Sequence, residues 1–144
     1  MTIKQLLDRK GREVFTIAPE ESVFEAIRRM AEKGIGALVV TEGGEPVGIL
    51  TERDYARKVI LKGRSSKETP VREIMSSPVI FIRPEQTIEE AMAIMTEKKI
   101  RHLPVLAEGR LGGLISIGDV VKAIIEDQKF TIDQLTNYIH GDRS

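Results

Sequence analysis

Cysteine and tryptophan are both absent from the chain, and only 4% of its residues are aromatic. Without cysteine there is no disulfide, no thiolate nucleophile and no Cys-containing metal site, a composition compatible with a reducing compartment. So few aromatics leave no platform on which single-stranded nucleic acid or sugar would stack. Net charge is missing as well: 22 basic residues balance 22 acidic ones among 144, so no overall field draws the chain onto DNA or anionic lipid. No apolar run approaches the roughly 20 residues of a membrane span. The segment from Met1 to Arg12, with Lys4, Asp8, Arg9 and Lys10, lacks the uninterrupted apolar core of a signal peptide. These absences predict a soluble cytoplasmic protein with neither nucleic acid nor membrane as partner. Catalytic signatures are missing too: there is no Walker A motif, no G-x-S-x-G elbow, no H-E-x-x-H and no G-x-G-x-x-G after a strand. A non-enzymatic chain without a catalytic cofactor or metal is the expectation.

What the chain does have is a copy of itself. An offset of about 65 residues aligns its halves without gaps and with about fifteen identities. Val14, Ile17, Pro19 and Glu20 fall on Val79, Ile82, Pro84 and Glu85; Ala26, Met30, Glu32 and Lys33 fall on Ala91, Met95, Glu97 and Lys98. The match runs on through Ile35, Leu38, Val40, Gly48 and Asp54 onto Ile100, Leu103, Val105, Gly113 and Asp119.

Each repeat reads as strand, helix, strand, strand, helix. Val14 to Ile17 is β-rich and is stopped by Pro19, after which Ser22 with Glu25 suggests a capping box; Thr87 with Glu90 repeats it. Val23, Ala26, Ile27 and Met30, and likewise Ile88, Ala91, Met92 and Met95, recur at helical spacing as one apolar stripe facing a sheet, so the methionines belong to the core. Two short apolar runs follow, Ala37 to Val40 and Val47 to Leu50, joined by Glu42-Gly43-Gly44-Glu45, a hairpin signal matched around Glu108-Gly109. Glu52 to Leu61 and Ile117 to Asp127 close the units as helices. The predicted organisation is a first repeat with an N-terminal helix over 1–62, a polar linker over 63–70, a second repeat over 71–128 opened by a short helix from Pro70 to Met75, and a C-terminal helix or tail over 129–144 capped by Thr131 with Gln134. His140, near that helix's end, is expected to favour its dipole as a cation.

Both repeats carry an apolar strand through glycine into a hydroxyl residue and, three positions on, an aspartate: Gly48 to Thr51 and Asp54, Gly113 to Ser116 and Asp119. Two readings stand. Such a motif serves as a helix N-cap with an acid in the first turn, or it offers a hydroxyl and free N–H groups to phosphate while the aspartate accepts from ribose hydroxyls. His102, between Arg101 and Leu103, is likewise either surface or a phosphate contact.

Taken with the duplication, these segments and Ile100-Arg101-His102-Leu103-Pro104-Val105 resemble the tandem cystathionine-beta-synthase (CBS) domain pair, or Bateman module, from Ile3 to Ile125. The first repeat's Ile35-Gly36-Ala37-Leu38-Val39-Val40 departs from the pattern in lacking the proline and the cations. The resemblance implies an α/β (α+β) fold of two pseudo-twofold β-α-β-β-α repeats, with two three-stranded sheets facing one another and flanking two clefts. It implies binding of AMP, ADP, ATP or an NAD-like compound there, with adenine against Thr16, Ile17 and Ala18 or Val79, Ile80 and Phe81. Thr51, Asp54, Arg53, Arg101, His102 and Pro104 would form the phosphate-bearing site with Gly36 and Ala37 at the related position, and Ser116 and Asp119 the less charged one. It implies a homodimer that passes energy or redox state to a separate regulated protein; the alternative is a ligand-free interaction or dimerisation module.

Overall fold

The structure is a computed structural model that describes residues 1–141, with side chains through residue 137; the expected role of His140 lies outside the described side chains. Its elements run α1 (Ile3–Lys10), β1 (Thr16–Ile17), α2 (Val23–Lys33), β2 (Ala37–Glu42), β3 (Glu45–Thr51), α3 (Glu52–Tyr55) continued by a π-helical turn (Ala56–Ile60), a 3-10 turn (Val71–Glu73), α4 (Ile88–Lys98), β4 (His102–Ala107), β5 (Arg110–Ser116) and α5 (Ile117–Gly141).

The duplication is visible down to the register. β2 and β3 pair antiparallel with Leu38 opposite Leu50 and a bulge at Val40/Thr41; β4 and β5 pair with Leu103 opposite Ile115 and a bulge at Val105/Leu106. Both hairpins turn on two consecutive residues of positive φ, Gly43 and Gly44 in the first and Glu108 and Gly109 in the second, the backbone that a right-twisted two-residue hairpin demands. β3 and β5, equivalent strands of the two repeats, touch across the interface.

The two sheets are not equal. β1 adds a parallel strand to the first, Thr16 beside Val39 and Ile17 beside Val40, whereas the second sheet has two strands and only an isolated bridge from Ile82 to Val105. The expected pair of three-stranded sheets is corrected on this point, and the cause is one residue. In the first repeat the Val39 N–H donates to the Phe15 carbonyl at 3.2 Å. Pro104 stands where Val39 stands and has no N–H to donate. Pairing therefore survives only around Ile82, through Ile82 N–H to Pro104 O at 3.0 Å and Leu106 N–H to Ile82 O at 2.9 Å.

The cores are crossed. Ile17, Val23, Ala26, Met30, Leu38, Val40, Leu50 and Val59 of the first repeat enclose Val71 and Ile74 from the segment leading into the second. Ile3, Leu6 and Leu7 of α1, which leads into the first repeat, pack with Ile82, Ile88, Met95, Leu103, Ile115, Val120 and Ala123 of the second. Met30 and Met95 are buried, as their helical spacing requires. The 63–70 segment is fixed rather than free: the Val23 N–H donates to Thr69 O and the Phe24 N–H to Ser66 O, both at 2.9 Å. The expected helix from Pro70 to Met75 is the single 3-10 turn Val71–Glu73.

Helix ends follow the hydroxyl signals only in part. Ser22 and Thr87 accept from the N–H groups of Glu25 and Glu90 at 3.1 Å. The reciprocal half of each box is missing, because the Glu25 carboxylate is taken by Arg28 and Arg29, which pull its pKa down to about 2, and Glu90 is taken by Gln86. The separate C-terminal helix does not exist: α5 is continuous over 25 residues, and Thr131 Oγ1 donates within it to Asp127 O at 3.1 Å. No glycine or proline lies between Asp127 and Thr131 to break it.

Gly48 and Gly113 are the notches that admit the crossing segments. A Cβ on Gly48 would lie 2.6 Å from Met75 Sδ and 3.0 Å from the Ser76 carbonyl oxygen; one on Gly113 would lie 2.8 Å from Leu7 Cδ2. A side chain can swing aside more easily than a backbone carbonyl. Gly48→Ala should therefore destabilise by about 1–3 kcal/mol and by more than Gly113→Ala, as denaturant titration of the two variants would measure.

Candidate functional site

β3 and β5 each deliver their last residue to a helix start, and there both hydroxyl-to-aspartate motifs form the same reciprocal backbone cap. Asp54 N–H donates to Thr51 Oγ1 at 3.1 Å while Asp54 Oδ2 accepts from Thr51 N–H at 3.0 Å and from its hydroxyl at 3.1 Å. Asp119 N–H donates to Ser116 Oγ at 3.1 Å and Asp119 Oδ2 accepts from Ser116 N–H at 2.8 Å. The capping role is thus realised in full, with the aspartate in place of the usual glutamate. Each box stands on the wall of a cleft between the repeats.

The first cleft, about 470 Å³, has Thr51, Glu52, Arg53, Asp54 and Arg57 with Ser76 beside them, Lys99, Ile100, Arg101 and His102 from the other repeat, and Gly36, Pro78 and Ile80 completing the lining. The second, about 420 Å³, is lined by Lys10, Glu13, Val14 and Phe15, by Gly34 to Ala37, and by His102, Leu114, Ser116 and Asp119. Both volumes fall in the range of small-molecule sites.

Their electrostatics differ. Arg53, Arg57, Lys99 and Arg101 surround the first cleft against Glu52 and Asp54, and Arg53 Nη1 reaches the Lys99 carbonyl at 3.5 Å, tying one wall to the other. Asp54, only 9% exposed, receives Lys58 Nζ at 3.1 Å and Ser76 Oγ at 3.4 Å. In the second cleft Lys10, the last residue of α1, pairs with Asp119 and also donates to Leu114 O at 2.6 Å. Burial works to raise the Asp119 pKa, but the Lys10 ammonium and the Ser116 N–H outweigh it and hold the carboxyl below its ordinary value.

Most of the residues singled out in the sequence do meet here. Gly36, Thr51, Arg53, Asp54, Ile80, Arg101 and His102 line the first cleft; Gly36, Ala37, His102, Ser116 and Asp119 line the second. Thr16, Ile17 and Ala18 line neither: pairing with β2 turns Ile17 into the core and leaves Thr16 and Ala18 exposed outside the clefts; Val14 and Phe15 face the cleft instead. Val79 and Phe81 also stand off while Pro78 and Ile80 face in, the alternation of an extended chain. Pro104 is buried within β4. Arg101 is exposed at the first cleft, whereas burial, and after it the Lys10 ammonium, lowers the His102 pKa below its ordinary value.

Sequence reading passed over Arg57, Lys99, Ser76 and Lys10. For Lys99 a signal was present in the repeat alignment: Lys99, Arg101 and His102 replace Gly34, Gly36 and Ala37. Gly34 closes α2 at φ 66°, and Lys99 closes α4 at φ 55°, a left-handed conformation that costs a residue with a Cβ about 1 kcal/mol. The second repeat accepts that strain and gains an ammonium at the cleft.

Two repeats of sheet and helix sharing a pair of clefts at their interface define a tandem module. The CBS domain profile matches residues 4–61 and again 71–126. The chain is 38% identical over 149 residues to the mitochondrial CBS domain-containing protein CBSX3 of Arabidopsis thaliana, covering 97% of this chain and 72% of that one. A solved CBS-domain protein from Burkholderia ambifaria shares 53% identity, 89% and 96% coverage and a TM-score of 0.85. A hexameric CBS-CP12 protein from bloom-forming cyanobacteria shares 26% identity over 100% of this chain and 90% of its own, with a TM-score of 0.77. The chain belongs to the CBS-domain family as a tandem pair, and proteins of this family are in general regulatory and nucleotide-binding. No described helix is long and apolar enough to cross a membrane.

Two outcomes follow from this geometry. Lys99→Gly should raise unfolding free energy by about 0.5–1 kcal/mol in denaturant while weakening anion binding, a trade that a purely structural lysine would not show. For His102 the unfolded chain takes up a proton more readily than the folded one, so its contribution to stability is full above its ordinary pKa of about 6.5 and is lost as pH falls below it. Melting temperatures scanned downward from pH 7.5 should decline through that window, and His102→Gln should flatten the decline.

Proposed function

We propose that this tandem pair is a non-catalytic regulatory module that binds an adenine nucleotide, AMP, ADP, ATP or an NAD-like compound, with the phosphates in the first cleft. The observation that carries this reading is the cluster of Arg53 and Arg57, beside Thr51 and Asp54, and Lys99 and Arg101, opposite them, around one cleft of about 470 Å³. Guanidinium groups match phosphate oxygens in geometry as well as charge, and Ile80, Ile100 and Pro78 supply apolar surface for a base. The second cleft sets Lys10 and His102 against Glu13 and Asp119 and would suit an uncharged ligand portion. The module would work in the cytoplasm as a homodimer and pass energy or redox state to a separate protein. The Burkholderia relative is named for signal transduction, which supports that role, and the hexameric CBS-CP12 relative supports self-association.

A second reading, a ligand-free interaction module, is favoured by one observation. Asp54 and Asp119 are each satisfied inside the chain by their own N-caps and by Lys58 and Lys10. A ribose would have to share or displace those contacts. This also makes Asp54→Ala a poor probe, since removing an N-cap partner costs about 0.5–2 kcal/mol of stability by itself.

Arg101 is exposed and holds no cap, so it separates the readings. Calorimetric titration should show Arg101→Ala weakening AMP about ten- to a hundredfold, the worth of a charge-assisted hydrogen bond, while leaving adenosine affinity unchanged. Equal losses for AMP and adenosine would remove phosphate from the first cleft, and no binding of AMP, ADP, ATP or NAD by the unmodified chain would leave the interaction module.

A further inference from the structure

Helix α5 outlasts the domain it belongs to. Its buried residues, Val120 and Ala123, lie in the first two turns, and every described side chain from Gln128 to Asn137 is exposed. A helical extension of that length without tertiary support is marginal in water. This one carries an apolar stripe interrupted by Gln128: Val121 is 40% exposed, Ile125 58%, Ile132 61% and Leu135 58%. The positions 121, 125, 128, 132 and 135 alternate spacings of four and three, the seam of a two-helix coiled coil, with Gln128 at its midpoint.

We propose that the stripe is covered by the same stripe of a second copy of this chain, running antiparallel, with the twofold axis passing at Gln128. The proposal rests on the homodimer reading above and assigns its surface and direction. Charge complementarity selects both. One flank of the stripe carries Lys122, Glu126, Lys129 and Asp133 in alternating sign, with Glu126 also 3.5 Å from Arg9 of its own chain. A twofold axis perpendicular to the helix keeps that flank in contact with itself while reversing its order, so Lys122 comes opposite the partner's Asp133 and Lys129 opposite the partner's Glu126. A parallel pair would set the flank against Ile124, Asp127 and Thr131, which offer no matching alternation. Within the seam the same axis places Val121 against the partner's Leu135 and lets the two Gln128 amides hydrogen-bond each other, a polar contact that fixes register. Each free extension would thereby pack on the domain-anchored half of its partner's helix, where Val121 and Ile125 are uncovered.

The chain has no cysteine, so single thiols report the arrangement in the full-length protein. Light scattering should give a dimer mass. Oxidation should crosslink Gln128→Cys to itself but leave Val121→Cys uncrosslinked, because its copies would sit about 21 Å apart along the helices, and a mixture of Val121→Cys and Leu135→Cys should crosslink. Lys122→Glu should raise the dimer dissociation constant about three- to tenfold, and adding Asp133→Lys should restore it; these residues are about 16 Å apart along one helix, so only contact between copies explains rescue. A monomer at all concentrations overturns the homodimer reading and this proposal together. A dimer in which Gln128→Cys fails to crosslink, or in which Val121→Cys crosslinks to itself, overturns the antiparallel α5 seam alone.

Discussion

The segment leading into each repeat fills the hydrophobic core of the other, and the rest of the structure depends on that exchange. Ile3, Leu6 and Leu7 of α1 are buried against β5 and α5, while Val71 and Ile74 are buried against β2 and β3. Burying a side chain of this size stabilises by about 1.5–3 kcal/mol, so neither repeat retains a complete core if its neighbour's leading segment leaves. Gly48 and Gly113 exist at matching positions because this exchange needs a gap in each sheet that no Cβ obstructs. The clefts are a by-product of the same arrangement: holding the repeats face to face brings the end of each hairpin's second strand opposite the other repeat's helix-to-strand turn.

Within that frame the duplication has diverged by charge rather than by shape. The hairpins keep their register, bulges and turns, yet the turn after α4 gained Lys99, Arg101 and His102 where the turn after α2 has Gly34, Gly36 and Ala37. Since each turn borders the cleft holding the other repeat's capping box, the cations of the second repeat serve the Thr51 and Asp54 cleft. The Ser116 and Asp119 cleft is instead supplied by α1, whose Lys10 is paired with Asp119. Pro104 belongs to the same divergence, since losing one N–H thinned the second sheet to two strands beside the wall formed by Pro78 and Ile80. The strain of a left-handed Lys99 and the depressed His102 are local costs located where a ligand would lie.

The sequence by itself determined the repeat, the order of elements, the hairpin turns, the core methionines and the capping boxes at Thr51 and Ser116. All of these are set within a few residues, by spacing, by positive-φ turns or by a hydroxyl three positions before an acid. It also marked Arg101 as the asymmetric cation, because two aligned repeats can be compared position by position. Tertiary structure decided what no local pattern encodes. α1 packs on the second repeat although it precedes the first, because the hydrophobic effect rewards burial without regard to chain order. Ile17 turned into the core and Phe15 into the cleft because pairing with β2 set the depth of that strand. Whether Asp54 and Asp119 face water, a lysine or a ligand was fixed by side chains reaching in from elsewhere, Lys58 a turn along and Lys10 from the far end of the chain, and a through-space contact of that kind leaves no periodic trace in the sequence.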